Sequence, residues 1–190
     1  LSSNTKIIDT LIKGSQPINI ELGESQKRLE GWTTVDLNEA SDICLNLSCF
    51  PLPFPENCIS QIYSSHVLEH LFYGEMTELL SECYRILKPG GIFKVAVPNA
   101  RIYLNAYFNQ KEFNYKEYCL YDTGLSYKSK IDYVNYIAYM GGHHRHMFDE
   151  ESLLTNLVDA GFKNVKIRDF EPGLDLEGRK YESIYAEGEK

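Results

Sequence analysis

The sequence predicts an α/β fold built on one open sheet. Short apolar stretches with a two-residue period alternate with stretches of helical period along most of the chain. One strand–helix–strand unit is plain. Ile62-Tyr63-Ser64-Ser65-His66-Val67-Leu68-Glu69-His70-Leu71 begins as an apolar strand and reads as turning helical at the two serines. One helix later, Leu87-Lys88-Pro89-Gly90-Gly91-Ile92-Phe93-Lys94-Val95-Ala96-Val97-Pro98-Asn99 opens the next strand.

In chain order, residues 5–15 predict a short amphipathic helix with Ile8, Leu11 and Ile12 on one face, ended by Gly14. Residues 17–23, 32–37 and 42–47 read as the first three strands. Pro51, Pro53 and Pro55 make the next segment an extended loop, because proline fixes φ and lacks an N–H. Ser60 to Tyr63 is the fourth strand. Glu75 to Leu87 is a helix whose Met76, Leu79, Leu80, Cys83 and Leu87 share a face. Ile92 to Val97 is the fifth strand. Asp149 caps a helix to Ala160, and Gly161 stops it. Residues 165–170 and 183–187 close the pattern as strands.

The chain has 190 residues, 43% of them apolar, enough for one domain with a real core. Residues 1–190 read as that single domain, with 101–147 as a tyrosine-rich insertion or lid. No apolar run approaches a membrane span of about 20 residues, and residues 1–15 lack the basic start and apolar block of a signal peptide. The chain opens on Leu1 rather than Met, which leaves room for residues upstream. A net charge of −8 opposes a polyphosphate backbone, so nucleic acid is not the expected partner. Five cysteines, Cys44, Cys49, Cys58, Cys83 and Cys119, form no C-x-x-C; reduced thiols in a cytoplasmic protein are the expectation.

The two motifs, in order and one helix apart, resemble the class I S-adenosylmethionine-dependent methyltransferases, in which a small-polar turn ends a strand, "L-E-H" comes after it and "L-K-P-G-G" opens the next. Gly31-Trp32-Thr33-Thr34-Val35-Asp36 resembles a compact, type 11-like subgroup. The resemblance covers residues 16–99 closely and 148–187 more loosely. It implies a Rossmann-like sheet of seven strands, mostly parallel with an antiparallel last strand and helices on both faces. It also implies S-adenosylmethionine as cofactor, S-adenosylhomocysteine as product, and a small-molecule or glycan-precursor acceptor.

The residues that would serve such a cofactor follow the strand ends. Glu21, Gly23 and Ser25 lie at the first turn; the family has a glycine pair there, and Ser25 replaces the second. Asp36, beside Leu37, ends the second strand, where a carboxylate accepts two hydrogen bonds from a ribose diol. Asn46 and Leu47 follow the third strand, where Asn46 can accept from an adenine amino group without a charge. Leu52-Pro53-Phe54-Pro55 either closes over the adenine or forms a rigid turn. By resemblance, the backbone at Ser64, Ser65 and His66 lines the methionine end. Trp32 reads as core.

His66-x-x-Glu69-His70 matches a zinc-protease pattern, and Gly141-Gly142-His143-His144-Arg145-His146 forms a second histidine cluster. With His66 at a strand end and no third ligand in sequence reach, no metal is expected. His143 and His144 are the candidates for a catalytic base facing the acceptor, with His66 beside the cofactor as a third catalytic candidate. Arg101 either holds an anionic group or forms a surface ion pair. Residues 101–142 hold nine of the 14 tyrosines; they read as an acceptor lid, as packing, or as a homodimer surface. The rival to an enzyme is a non-catalytic member of the same fold, a binding or scaffold protein whose Ser25 and Asn46 mark a degraded pocket.

Overall fold

The computed structural model describes residues 3–23, 29–109 and 129–190. The elements are α1 (Ser3–Lys13), β1 (Asn19–Leu22), β2 (Trp32–Asp36), β3 (Ile43–Cys44), β4 (Ile59–Ser65), α2 (Tyr73–Ile86), β5 (Leu87–Pro98), α3 (Ala100–Phe108), α4 (Ile131–Tyr139), α5 (Glu150–Asp159), β6 (Lys163–Ile167) and β7 (Ser183–Glu189). Single 3-10 turns cover Leu68–His70, Met140–Gly142 and Glu177–Arg179.

The strands form one seven-stranded sheet in the order β3-β2-β1-β4-β5-β7-β6. Pairings from β3 to β5 are parallel, and β7 runs antiparallel to both β5 and β6. The strand order therefore reverses between β1 and β4. That reversal leaves a crevice beyond their carboxyl ends, because the connections leave in opposite directions there.

The central strands are buried on both faces, as parallel strands covered by helices must be. Ile20, Ile59, Ile62, Phe93, Val95 and Val97 have no exposed surface. Met76, Leu79, Leu80, Cys83 and Ile86 of α2 are equally buried, which realises the helical stripe read from the sequence. Each such aliphatic side chain contributes about 1.5–3 kcal/mol relative to exposure. Phe93 stacks on Phe162 at 5.3 Å, which ties α5 and its following turn to the sheet. Tyr103 of α3 meets Tyr136 of α4 at 5.5 Å, so the described tyrosines on either side of residues 110–128 pack together.

Several boundaries differ from expectation. β6 covers Lys163–Ile167 and not 165–170, with a register shift against β7 between Lys163 and Lys166. The chain does not turn helical at the two serines: β4 continues through Ser65, with Ser64 paired to Val95 and Ser65 to Ala96. The sheet satisfies those backbone groups first, and α2 starts only at Tyr73, where the Phe72 N–H donates to the Glu75 carboxylate at 2.9 Å. The third strand shrinks to two residues: before it the Asp42 carboxylate takes the Thr34 N–H at 3.0 Å and the Thr34 hydroxyl at 3.1 Å, and after it Asn46 opens a turn whose carbonyl takes the Cys49 N–H at 3.0 Å. The fifth strand starts earlier than Ile92, at Leu87, with residues 88–91 looping out between the Ile59–Leu87 and Gln61–Ile92 pairings.

Candidate functional site

A cleft of about 440 Å³ lies at the carboxyl ends of β1, β2, β3 and β4. Its lining includes Gly23, Asp36, Leu37, Asn46, Leu47, Ser48, Ser65, His66, Val67, His70, Leu71, Leu176 and Arg179. Of the expected cofactor residues, Gly23, Asp36, Leu37, Asn46, Leu47, Ser65 and His66 thus converge. Glu21 and Ser64 do not line it; both are fully buried in the sheet beneath. Ser25 lies outside the described residues.

Gly23 is fixed by two constraints. Its φ is +81°, which L side chains rarely adopt, and a Cβ there would stand 2.5 Å from Val67 Cγ2. The same Cβ position lies 3.8 Å from Asp36 Oδ2, so the glycine turn and the carboxylate border one space. Asp36 Oδ1 accepts from the Asn38 N–H at 2.9 Å, which aims the carboxylate from the strand end. Asn46 Oδ1 accepts from the Ser48 N–H at 2.9 Å, so its oxygen also shapes its own turn.

Leu52-Pro53-Phe54-Pro55 does not close over the cleft. Leu52 and Phe54 are buried in the core. Arg85 of α2 donates to the Phe54 carbonyl at 3.0 Å and the Leu52 carbonyl at 3.1 Å, which pins the segment to the helix. Trp32 packs edge-on to Tyr63 at 6.4 Å and stays out of the cleft, but it is half-buried rather than core and lines a surface depression with Asn19 and Gln61.

His66 ends β4 with a left-handed backbone, φ +54°. Its N–H completes the ladder to the Ala96 carbonyl at 2.9 Å, and the chain then leaves the sheet. Arg179 Nη1 lies 2.6 Å from Nδ1, and Ser183 Oγ lies 2.8 Å from Nε2. A guanidinium only donates, so Nδ1 accepts and Nε2–H donates to Ser183. Burial pushes the His66 pKa down, keeping the ring neutral. Both ring nitrogens are thus engaged within the protein.

His143 is exposed and lies outside the cleft lining. His144 is buried, and also outside the lining. Its Nδ1 bonds the Ile137 carbonyl at 2.9 Å, and burial pushes its pKa down. The geometry therefore gathers no acceptor base from these two. Arg101 takes the surface ion pair, 3.6 Å from Asp149.

The two histidine stretches are nonetheless neighbours. The Glu69 carbonyl accepts from the Arg145 N–H at 2.7 Å and from the His146 N–H at 3.2 Å. His70 and His144 meet edge to face at 5.2 Å. Left-handed Met140, Gly141 and Gly142 turn the chain after α4 and deliver the loop there. The third ligand-type group that the sequence lacked near His66–His70 is thus brought by tertiary contact, which residue spacing does not display.

Nothing in the local pattern of the sequence marks Arg179 and Leu176. They sit in the loop between β6 and β7, and β7 runs antiparallel, with Ser183 opposite Pro98. Its start therefore lies at the carboxyl end of β5, on the cleft side. A basic residue just before an antiparallel last strand is the signal that would have found Arg179. Beside it Glu182 is buried, with Oε1 3.3 Å from Arg179 Nη1. Burial pushes its carboxyl up to about 7, partly offset by Arg179.

Residues 22–95 match a methyltransferase domain family. A probable S-adenosylmethionine-dependent methyltransferase of Mycolicibacterium smegmatis is 40% identical over 48 residues, 25% of this chain and 18% of that protein. The match thus spans about a fifth of that relative. A methyltransferase of the same cofactor dependence from Archaeoglobus fulgidus superimposes with TM-score 0.55 at 15% identity, covering 100% of this chain and 95% of that one. The 1,6-didemethyltoxoflavin-N1-methyltransferase of Burkholderia thailandensis, solved with its substrate and S-adenosylhomocysteine, gives TM-score 0.55 at 14% identity over 98% of this chain and 76% of that one. Residues 22–95 are thus similar to a methyltransferase domain, and the seven-stranded sheet around them has the Rossmann-like fold of the S-adenosylmethionine-dependent methyltransferases on which it superimposes.

Proposed function

We propose that this protein transfers the methyl group of S-adenosylmethionine to a small-molecule or saccharide-type acceptor. The observation that carries the reading is the pairing of Gly23 with Asp36 at the strand-order reversal. A side-chain-free turn that a ligand backbone can approach faces a carboxylate suited to a ribose diol. Asn46 and Leu47 flank the far end, where an adenine would lie, and the backbone at Ser65 and His66 flanks the methionine end. The cleft volume of about 440 Å³ suits a ligand of this size. The Burkholderia neighbour, solved with 1,6-didemethyltoxoflavin bound, supports an acceptor of small-molecule class.

In the reaction the acceptor's lone pair forms the new bond to the methyl carbon while the carbon–sulfur bond breaks. Its electron pair stays on sulfur, giving S-adenosylhomocysteine, and any acceptor proton leaves to solvent or a base. Alignment of nucleophile, carbon and sulfur supplies much of the rate. His66, held between Arg179 and Ser183, fixes the wall against which that line is set.

Calorimetric titration with S-adenosylmethionine and S-adenosylhomocysteine tests the reading. Micromolar binding is expected, and Asp36→Ala should weaken it about 10-fold or more through lost charge-assisted hydrogen bonds. No binding up to millimolar cofactor would overturn it and favour the scaffold reading. Mass spectrometry of acceptor mixtures then reads methylated product as a gain of one methyl group.

A further inference from the structure

We infer that Glu69, His70 and His144 form a binding site for a divalent transition-metal ion of the zinc class at the edge of the cleft. This goes beyond methyl transfer and does not depend on it. One ligand atom from each residue lies within 4.8 Å of the others. Two nitrogens and one carboxylate oxygen are the donor set of three-ligand zinc sites that keep a further position open.

The site is prepared in two independent ways. The first is tautomeric. His70 Nδ1 lies 3.0 Å from the His143 carbonyl, and His144 Nδ1 lies 2.9 Å from the Ile137 carbonyl. A carbonyl only accepts, so each ring must donate from Nδ1. In the neutral ring that leaves the lone pair on Nε2. Ligating histidines carry this same outer bond, which fixes the ring and raises its basicity. His70 Nε2 stands 3.8 Å from Glu69 Oε1.

The second is the carboxylate. Glu69 is 1% exposed, and neither of its oxygens has a hydrogen-bond partner among the described residues. Two imidazole nitrogens stand beside it, His66 Nδ1 at 3.3 Å and His70 Nε2 at 3.8 Å. His66 Nδ1 already accepts from Arg179, so it presents a lone pair and not a proton. A buried carboxylate facing lone pairs is costly unless a cation joins them. Ligand atoms about a tetrahedral zinc stand about 3.4 Å apart. The His70 ring, hinged at Nδ1 on the His143 carbonyl, needs to swing Nε2 by only a few tenths of an ångström toward Glu69 to reach that spacing. His70 also lines the cleft, which places the site at the cleft's edge.

The test uses the full chain, depleted of metal with a chelator and titrated by calorimetry with Zn²⁺ and then Mn²⁺. One-to-one zinc binding at micromolar or tighter is expected, with manganese weaker, following the usual order for nitrogen and oxygen donors. His70→Ala, Glu69→Gln and His144→Ala should each lose more than the 10–100-fold that removal of an outer partner costs. His143→Ala, which keeps its carbonyl, should bind as the parent does. His70 is exposed, so its variant should fold even if the buried ones do not; circular dichroism checks this. No zinc binding up to millimolar by the folded chain, or binding that survives in His70→Ala, overturns the proposal. S-adenosylmethionine titration of the metal-depleted chain runs alongside. Retained cofactor binding with failed zinc binding sinks the metal site alone, and the reverse sinks only the methyltransferase reading.

Discussion

At the scale of single residues, Gly23 and His66 hold the cleft walls by unusual backbone geometry. Gly23→Ala combines a left-handed φ of +81° with a Cβ 2.5 Å from Val67. The backbone term alone costs about 1–2 kcal/mol. We expect urea denaturation to show at least that loss, together with weaker cofactor binding; an unchanged midpoint would mean that the turn relaxes freely. Glu182 bears on pH. Its folded-state pKa, about 7, stands above the ordinary 4.5. Both states are protonated below 4.5, so no penalty applies there. As pH rises to 7 the unfolded chain ionises first, and stability falls by roughly 2–3 kcal/mol, with the full penalty present above 7. Glu182→Gln should therefore match the parent near pH 4.5 and be the more stable protein at pH 8. A difference independent of pH would remove Glu182 from this account.

At the scale of elements, local chemistry decides where helices begin. The Asp149 carboxylate accepts from the Ser152 N–H at 2.9 Å and starts α5, as the sequence indicates. Asp149→Ala should cost about 1 kcal/mol in thermal or urea unfolding, the usual worth of such a cap. A loss under a few tenths would show that packing of Leu153 and Leu157 alone sets the helix start. The elements that were hard to read are those where tertiary pairing overrules local pattern. Ser64 and Ser65 look like a helix entry, yet β5 offers them ladder partners. Residues 42–47 alternate like a strand, yet the Thr34–Asp42 bonds before it and the Asn46 turn after it leave β3 two residues long. Leu52 and Phe54 look like an exposed turn between prolines, and only Arg85, some 30 residues away, shows why they are buried.

At the scale of the whole molecule, the strands were legible as apolar alternation, but their number and order came from the family resemblance carried by the Leu68-Glu69-His70 and Gly90-Gly91 motifs. The cofactor half of the cleft was legible because its residues follow strand ends: Gly23 comes directly after β1, Asp36 ends β2, and Asn46 comes two residues after β3. The other half was not. Arg179 comes from the loop before β7, and His144 from a turn 75 residues beyond Glu69 in the sequence. These groups meet through backbone bonds between loops, for which residue order leaves no periodic trace. Among the described residues no helix is long and apolar enough to cross a membrane.

The antiparallel course of β7 has a practical consequence. It begins with Ser183 beside the cleft and ends with Glu189 opposite Ile92, at the other rim of the sheet. There Lys190 is held by Gly90 and Gly91 at 2.9 and 3.0 Å. An anchor fused after Lys190 would leave from the face remote from the cleft. A protein immobilised by that end would present its opening outward to ligand flowing over a sensor surface.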